Sequence, residues 1–255
     1  MKTELALTIA GSDIFSGGGL QADLTTFSQL GIYGMVAQTC LTTFDNDQLK
    51  IDIFSANRFL SQLNSFDKIS FNGIKIGLLP SAEIINQTKS FLENQNCQNI
   101  VLDPVLVFKE NNYQEIQNQK ELLKSLFSNI TVLTPNLKEA EILSGITIRN
   151  KTDMIDAARY LFDLGIKCVV IKGDQTISSK KAIDLYFDGE NVEFLENDRL
   201  NKKSHGAGCT FSSAITALLI KGYSLLESVK IAKGLVYKTI KYGNHFGVSQ
   251  YAFKK

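Results

Sequence analysis

Short apolar, β-rich runs alternate with amphipathic segments along nearly the whole chain. Candidate strands fall at Leu5–Ala10, Met35–Thr39, Gly73–Leu78, Asn99–Leu102, Ile130–Thr134 and Lys167–Lys172. Several are apolar almost throughout, the pattern of parallel strands covered on both faces. Between them, apolar residues recur at helical spacing, as at Leu20, Leu24 and Phe27 and again at Ile155, Ala158, Leu161 and Phe162. Ile183–Phe187 and Val192–Leu195 flank Asp188-Gly189-Glu190-Asn191 and predict an antiparallel hairpin. Two long helices follow, over about residues 208–221 and 225–242, and Ser224 with Glu227 forms a capping-box pattern at the start of the second. No repeat, low-complexity tract or Pro/Gly-rich linker interrupts the pattern, which predicts one doubly wound α/β domain over residues 1–255. Val105–Asn118 turns polar after Lys109 and reads either as a lid leaving a strand end or as a surface loop.

Composition narrows the class. Hydrophobic residues make up 44% of the 255 and charged residues 21%, the balance of a globular chain with a sizeable core. Lys plus Arg is 27 against 26 acidic residues, so no global field draws nucleic acid or an anionic membrane. A small anionic ligand suits that balance. The apolar run Leu5 to Ala10 is too short for a signal-peptide core, and no stretch reaches the roughly 18 apolar residues of a membrane span. A soluble, cytoplasmic protein is the expectation. The four cysteines, Cys40, Cys97, Cys168 and Cys209, form no C-x-x-C pair, which argues against zinc and against a disulfide scaffold. Cys40 and Cys168 read as buried core thiols, and Cys97 has no assigned role.

The strongest local signal is Ser204-His205-Gly206-Ala207-Gly208-Cys209-Thr210, which leads straight into a helix. Glycines at a helix start let backbone N–H groups converge on an anion, and a phosphate is the natural tenant. Cys209 would stand at the positive end of that helix, where a thiol pKa is lowered. The competing reading of that thiol is a buried, inert cysteine.

Three further segments carry candidate chemistry. Gly11-Ser12-Asp13-Ile14-Phe15-Ser16-Gly17-Gly18-Gly19 joins a strand to a helix and places a site at the carboxyl edge of the sheet. Asp13 there reads as a hydrogen-bonding partner for a substrate hydroxyl or as an ordinary turn residue. Gly17, Gly19 and Ala22 match G-x-G-x-x-A, but Gly17 lies too far past the strand for a dinucleotide turn, so a dehydrogenase is a distant reading. Thr134-Pro135-Asn136-Leu137-Lys138-Glu139 puts Asn136 and Glu139 on one helix face, and with Asp103 they could organise magnesium through waters. Each also has a capping reading. Lys172 emerges from a buried strand, well placed to neutralise phosphoryl oxygens.

These segments together resemble the hydroxymethylpyrimidine and pyridoxal kinases of the ribokinase superfamily. The matching elements, in order, are Thr8-Ile9-Ala10-Gly11-Ser12-Asp13, Gly19-Leu20-Gln21-Ala22-Asp23-Leu24, Gly31-Ile32-Tyr33-Gly34-Met35, Asp103-Pro104-Val105-Leu106-Val107, Thr134-Pro135-Asn136-Leu137 and His205-Gly206-Ala207-Gly208-Cys209-Thr210. The resemblance implies a ribokinase-like three-layer α/β/α fold, ATP and magnesium as cofactors, and a homodimer. It implies that Asp103 and Glu139 shape the magnesium site, with Asn136, Lys172, His205 and Gly208 on the ATP side. The backbone of Gly206, Ala207, Gly208 and Cys209 would form an anion hole, with Cys209 at the position where many sugar kinases carry their base. Gly11, Asp13 and Gly19 would line the substrate pocket, joined by Phe44 and Phe108.

Within that family the residues favour pyridoxal, pyridoxine or pyridoxamine as substrate. Pyrimidine kinases typically carry Ala-Gln-Asn where this chain has Thr43-Phe44-Asp45, and Phe44 cannot hydrogen-bond an aminopyrimidine. Asp184-Leu185-Tyr186-Phe187-Asp188-Gly189 also looks more like the Gram-positive-type pyridoxal branch. Relatives there often carry a lid cysteine where this chain has Phe108, so Cys209 would act without that partner. The alternatives are a hydroxymethylpyrimidine or phosphomethylpyrimidine kinase and, in a different class, a non-catalytic pyridoxal phosphate or nucleotide binder.

Overall fold

Strand side chains alternate between two apolar faces, and helices cover both. In the computed structural model, which describes residues 3–46, 48–106 and 113–254, nine strands form one sheet. They are β1 (Leu5–Asp13), β2 (Tyr33–Asp45), β3 (Gln48–Ile53), β4 (Gly73–Ile76), β5 (Ile100–Leu102), β6 (Val132–Leu133), β7 (Cys168–Lys172), β8 (Lys181–Phe187) and β9 (Val192–Asp198). Their spatial order is β3-β2-β1-β4-β5-β6-β7-β8-β9. The six strands from β2 to β7 in that order are parallel, and β3, β8 and β9 run antiparallel at the two margins.

Leu7, Ile9, Ile74, Ile76, Leu102 and Ile171 join one core with α2 (Ala56–Asn64), α3 (Ala82–Glu93), α4 (Tyr113–Lys124), α5 (Leu137–Ser144) and α6 (Lys151–Asp163). Ala6, Val101, Val132 and Val170 face the other way, onto α1 (Gly19–Gln29), α7 (Ala207–Ile220) and α8 (Leu225–Lys241). The result is a three-layer α/β/α architecture. Cys40 and Cys168 are buried in it, as expected of core thiols. Among the described residues no helix is long and apolar enough to cross a membrane.

Several boundaries differ from the sequence pattern. β1 runs three residues past Ala10 because Ser12 and Asp13 still pair with Leu41 and Thr42 of β2, after a register shift. β2 reaches Asp45 rather than Thr39, and β3, absent from the expected strands, pairs back onto it through Cys40–Asp45. Leu49, Ile51 and Ile53 carry the period-2 signal for β3, but polar neighbours dilute it. Val132–Leu133 is all that remains of the expected Ile130–Thr134. The expected hairpin is present and longer at both outer ends. Of the expected lid, residues 107–112 lie outside the described residues, Phe108 among them, and residues 113–118 open α4 rather than continuing a loop.

The capping box of α8 is formed: Ser224 accepts from the Glu227 N–H, and Glu227 accepts from the Ser224 N–H at 3.1 Å. Ser224→Ala is expected to cost about 1 kcal/mol, read as a lower urea midpoint. An unaltered midpoint would show that the cap adds nothing.

Candidate active site

The chain order reverses at β1, which has β2 on one side and β4 on the other. In open α/β sheets, ligands collect at the carboxyl ends of the strands beside such a reversal. Here that edge carries the Ile14–Gly18 loop after β1, Asp103 after β5, Asn136 after β6 and Lys172 at the end of β7. The first turn of α7 descends on the same edge.

Two glycine-rich loops meet there back to back. Gly206 caps α7 with φ 84°, and a Cβ on it would lie inside the backbone of Gly17. Gly19 has φ 56°, and a Cβ on it would come 2.5 Å from the Gly11 carbonyl oxygen. Only glycine permits both the dihedral and the approach at these points. Asp13 joins the loops. Its carboxylate accepts from the N–H groups of Gly18 at 2.7 Å and Phe15 at 3.0 Å, and meets His205 Nε2 at 2.7 Å. These contacts give Asp13 a loop-organising place. Burial works to raise its carboxyl pKa, but His205 and the two amides outweigh that and hold it below the ordinary range. The same hydrogen bond raises the His205 imidazole above its usual value, against a smaller desolvation effect. From outside, the Val248 N–H donates to the His205 carbonyl at 3.0 Å, and Gln250 Nε2 donates to Thr210 Oγ1 at 3.0 Å.

The features expected to receive a phosphate stand beside this joint. The N–H groups in the first turn of α7 have no acceptor within the helix, as at any helix start. Gly208 leaves room for two side chains: a Cβ on it would be 3.3 Å from Lys172 Nζ and 3.5 Å from Asp103 Oδ2. Lys172 and Asp103 pair at 2.8 Å. Burial works to lower the Lys172 pKa, but Asp103 and then Glu139 raise it overall, so the ammonium keeps its proton. Asn136 and Glu139 do share a face, and they form a reciprocal capping box at 2.8 and 2.9 Å. Lys172 N–H donates to the Pro135 carbonyl at 2.8 Å, which fixes that cap beside the lysine. Burial pushes the Glu139 carboxyl up to about 7, Lys172 opposing and Asp103 adding to the rise.

Asp103 and Glu139 supply hard oxygen donors close enough to repel one another, with Lys172 between their charges. This donor set fits magnesium held by one or two carboxylates together with substrate phosphates. Among the described residues no group of three or more His, Cys, Asp or Glu could hold a metal alone.

Cys209 lies in the first turn of α7 and is partly buried. The expectation of a lowered thiol pKa is reversed. Burial pushes it up to about 11, with Lys75 the main opposing charge. Loss of hydration outweighs the helix terminus.

Alongside runs a cleft of about 670 Å³ between β8, β9, α7 and α8. Phe211, Val236, Tyr237 and Ile240 give it an apolar wall, while Asn136, Lys172 and Gly208 stand at its inner end. Lys233 and Asp184 pair at 2.7 Å in its lining, and Asp184 also accepts the Gly173 N–H at 3.1 Å. Size and lining suit a nucleotide whose phosphates reach the α7 terminus. The side chain of Phe44 lies outside the described residues.

The profile of the family described as phosphomethylpyrimidine kinase matches residues 13–254. The chain belongs to that family. Within this family, the putative pyridoxine kinase of Staphylococcus aureus (strain COL) is 42% identical over 248 residues, covering 95% of this chain and 90% of the relative. The pyridoxine kinase of Bacillus subtilis (strain 168) is 38% identical over 258 residues, covering 98% and 94%. The pyridoxal kinase from Staphylococcus aureus in complex with AMP-PCP and pyridoxal superposes with a TM-score of 0.93 at 38% identity, covering 100% of this chain and 96% of that one. The ribokinase-like three-layer fold expected from the motifs is the fold found.

Sequence reasoning missed Asp23, Lys75 and Ser213, which form a buried polar cluster under the site, and the Asp184–Lys233 pair. A signal for the first two was present: Lys75 interrupts an apolar strand, and Asp23 interrupts a helix face marked by Leu20, Leu24 and Phe27.

The Asp13–His205 pair has a measurable consequence. A histidine with a raised pKa contributes stability that is full below the unfolded value of about 6.5 and is lost as pH rises through the folded value. By NMR, the His205 midpoint is expected above that unfolded value in the wild type and lower in Asp13→Asn. The stability deficit of Asp13→Asn should narrow as pH rises through the wild-type midpoint. Equal midpoints would dissolve the pair.

Proposed function

We propose that this chain transfers the γ-phosphoryl group of ATP to the 5′-hydroxymethyl oxygen of pyridoxal, pyridoxine or pyridoxamine. The observation that carries the reading is the convergence of the α7 amides, Lys172 and the Asp103–Glu139 carboxylates at the inner end of a nucleotide-sized cleft. Full-length similarity to a kinase holding both an ATP analogue and pyridoxal supports the substrate class.

Phosphoryl transfer asks a protein chiefly for positioning and charge neutralisation. The N–H groups of Gly208 and Cys209 receive phosphoryl oxygens, and Lys172 adds a fixed positive charge. Magnesium, held by Asp103 and Glu139 together with the phosphates, would supply the remaining neutralisation. Asp13 and His205 keep the two loops in register, and Gly11 and Gly19 line the substrate pocket. Cys209 takes the acceptor hydroxyl proton. Phe44 and Phe108 remain the proposed ring contacts, and a cytoplasmic homodimer is the proposed working form.

The description of the family itself favours a second reading, phosphorylation of hydroxymethylpyrimidine or its phosphate. Purified protein with ATP and magnesium, given pyridoxal, pyridoxine or hydroxymethylpyrimidine separately and read by product mass, separates the two. Pyridoxal or pyridoxine phosphate is expected to dominate. A dominant pyrimidine phosphate would overturn the ring assignment, and ATP binding without ligand-stimulated turnover would favour a non-catalytic binder. Cys209→Ala is expected to lower kcat by about 10²-fold or more while ATP affinity changes little. Unchanged turnover would remove Cys209 from proton transfer.

A further inference from the structure

Lys75 places a charge in β4, whose other residues are glycine and isoleucine. It stands in register with Thr8 of β1 and Val101 of β5, and it is fully buried. Its ammonium lies 2.8 Å from Asp23 Oδ2, whose side chain is equally buried. Asp23 also accepts from Thr8 Oγ1 and Ser213 Oγ, each at 2.6 Å, so both of its oxygens are satisfied. A buried ion pair of this kind is weak evidence for stability, since apolar residues of the same volume often serve as well. The direction in which Lys75 points is more informative.

Positions 73, 75 and 77, along and just past β4, face α7. A side chain on Gly73 would meet Thr216 and Ile220, and one on Gly77 would stand 2.8 Å from Lys75 Nζ. The ammonium therefore points at the carboxyl edge, beneath the first turn of α7. Ser213 and Cys209 are one turn apart on that helix, and Asp23 and Gly19 are one turn apart on α1. Ser213 joins the two helices at Asp23, and Gly19 and Cys209 stand one turn nearer the carboxyl edge on them. The charges facing the sulfur are Lys75 from β4, Asp23 from α1, Asp103 from the end of β5 and Lys172 from β7. Lys75 acts on it more strongly than Asp23 or Asp103.

Building on the kinase reading above, we infer that Lys75, anchored by Asp23, is a positioning residue whose ammonium stabilises negative charge on Cys209 and so equips that sulfur to accept the substrate proton. In the step it serves, the acceptor oxygen bonds the γ-phosphorus. The bond from that phosphorus to the bridging oxygen breaks and its electron pair leaves with ADP, while the hydroxyl proton ends on the Cys209 thiolate, which becomes the thiol.

Alkylation by iodoacetamide reports the thiolate. Its rate at Cys209, followed by peptide mass from about pH 7 to about pH 10 without ATP or acceptor, tests the assignment. Lys75→Gln is expected to react about tenfold more slowly at a given pH, a shift of about one pKa unit, and Asp23→Asn to react faster. Opposite signs exclude simple loosening, which would speed both. The double variant K75Q/D23N leaves no unpaired charge, so it covers the case in which a single variant unfolds; it is expected to react more slowly than wild type, because the stronger charge is lost. Lys75→Gln or the double variant reacting as fast as wild type, or faster, would overturn the assignment. No turnover is read, so failure of the kinase reading would leave this result standing, and failure here would leave the kinase reading intact.

Discussion

The active edge depends on one backbone-to-backbone approach, in which Gly206 at the cap of α7 is seated against Gly17 and Gly18 of the loop after β1. That approach brings the positive end of a helix from late in the chain onto the loop of its first strand. It has no tolerance for a side chain, because a Cβ on Gly206 would occupy the Gly17 backbone. Asp13 and His205 lock the joint with a hydrogen bond of 2.7 Å, and the C-terminal residues Val248 and Gln250 close it from outside. Without this contact the N–H groups of α7 would face solvent rather than the cleft.

Charge around that joint is arranged as lysine–aspartate pairs graded in burial. Lys75–Asp23 is wholly enclosed, Lys172–Asp103 is partly open at the edge, and Lys233–Asp184 lies in the nucleotide cleft. The difference between the first two matches the tasks proposed for them. An enclosed charge keeps a constant field because water cannot screen it, whereas a charge that must meet a phosphate has to be reachable. The raised pKa values of Glu139 and Cys209 follow from the same enclosure, since both groups lose hydration before gaining a full complement of positive charge. ATP-bound magnesium and the lysines would then complete the balance.

Much of this was legible in the sequence because backbone-driven features leave local marks. The glycines at 17–19 and 206–208 announced loops leading into helices, and the Asn136–Glu139 spacing announced a helix start. The apolar runs gave the central strands to within a few residues. Three things were not legible. The β2–β3 arm has only a diluted alternation. The thiol pKa of Cys209 depends on burial that no local motif encodes, so the helix-end argument pointed the wrong way. The Asp13–His205 bond and the Asp23–Lys75–Ser213 cluster join residues far apart in sequence, and only the tertiary arrangement reveals their partners.

The dependence of catalysis on the loop joint is best tested with Gly206→Ala, assayed for pyridoxal-dependent ATP turnover alongside circular dichroism and ATP affinity. The expected result is a folded protein whose turnover falls by about 10²-fold or more, the scale of losing an anion-hole donor. Wild-type turnover in that variant would contradict the claim that this contact builds the site.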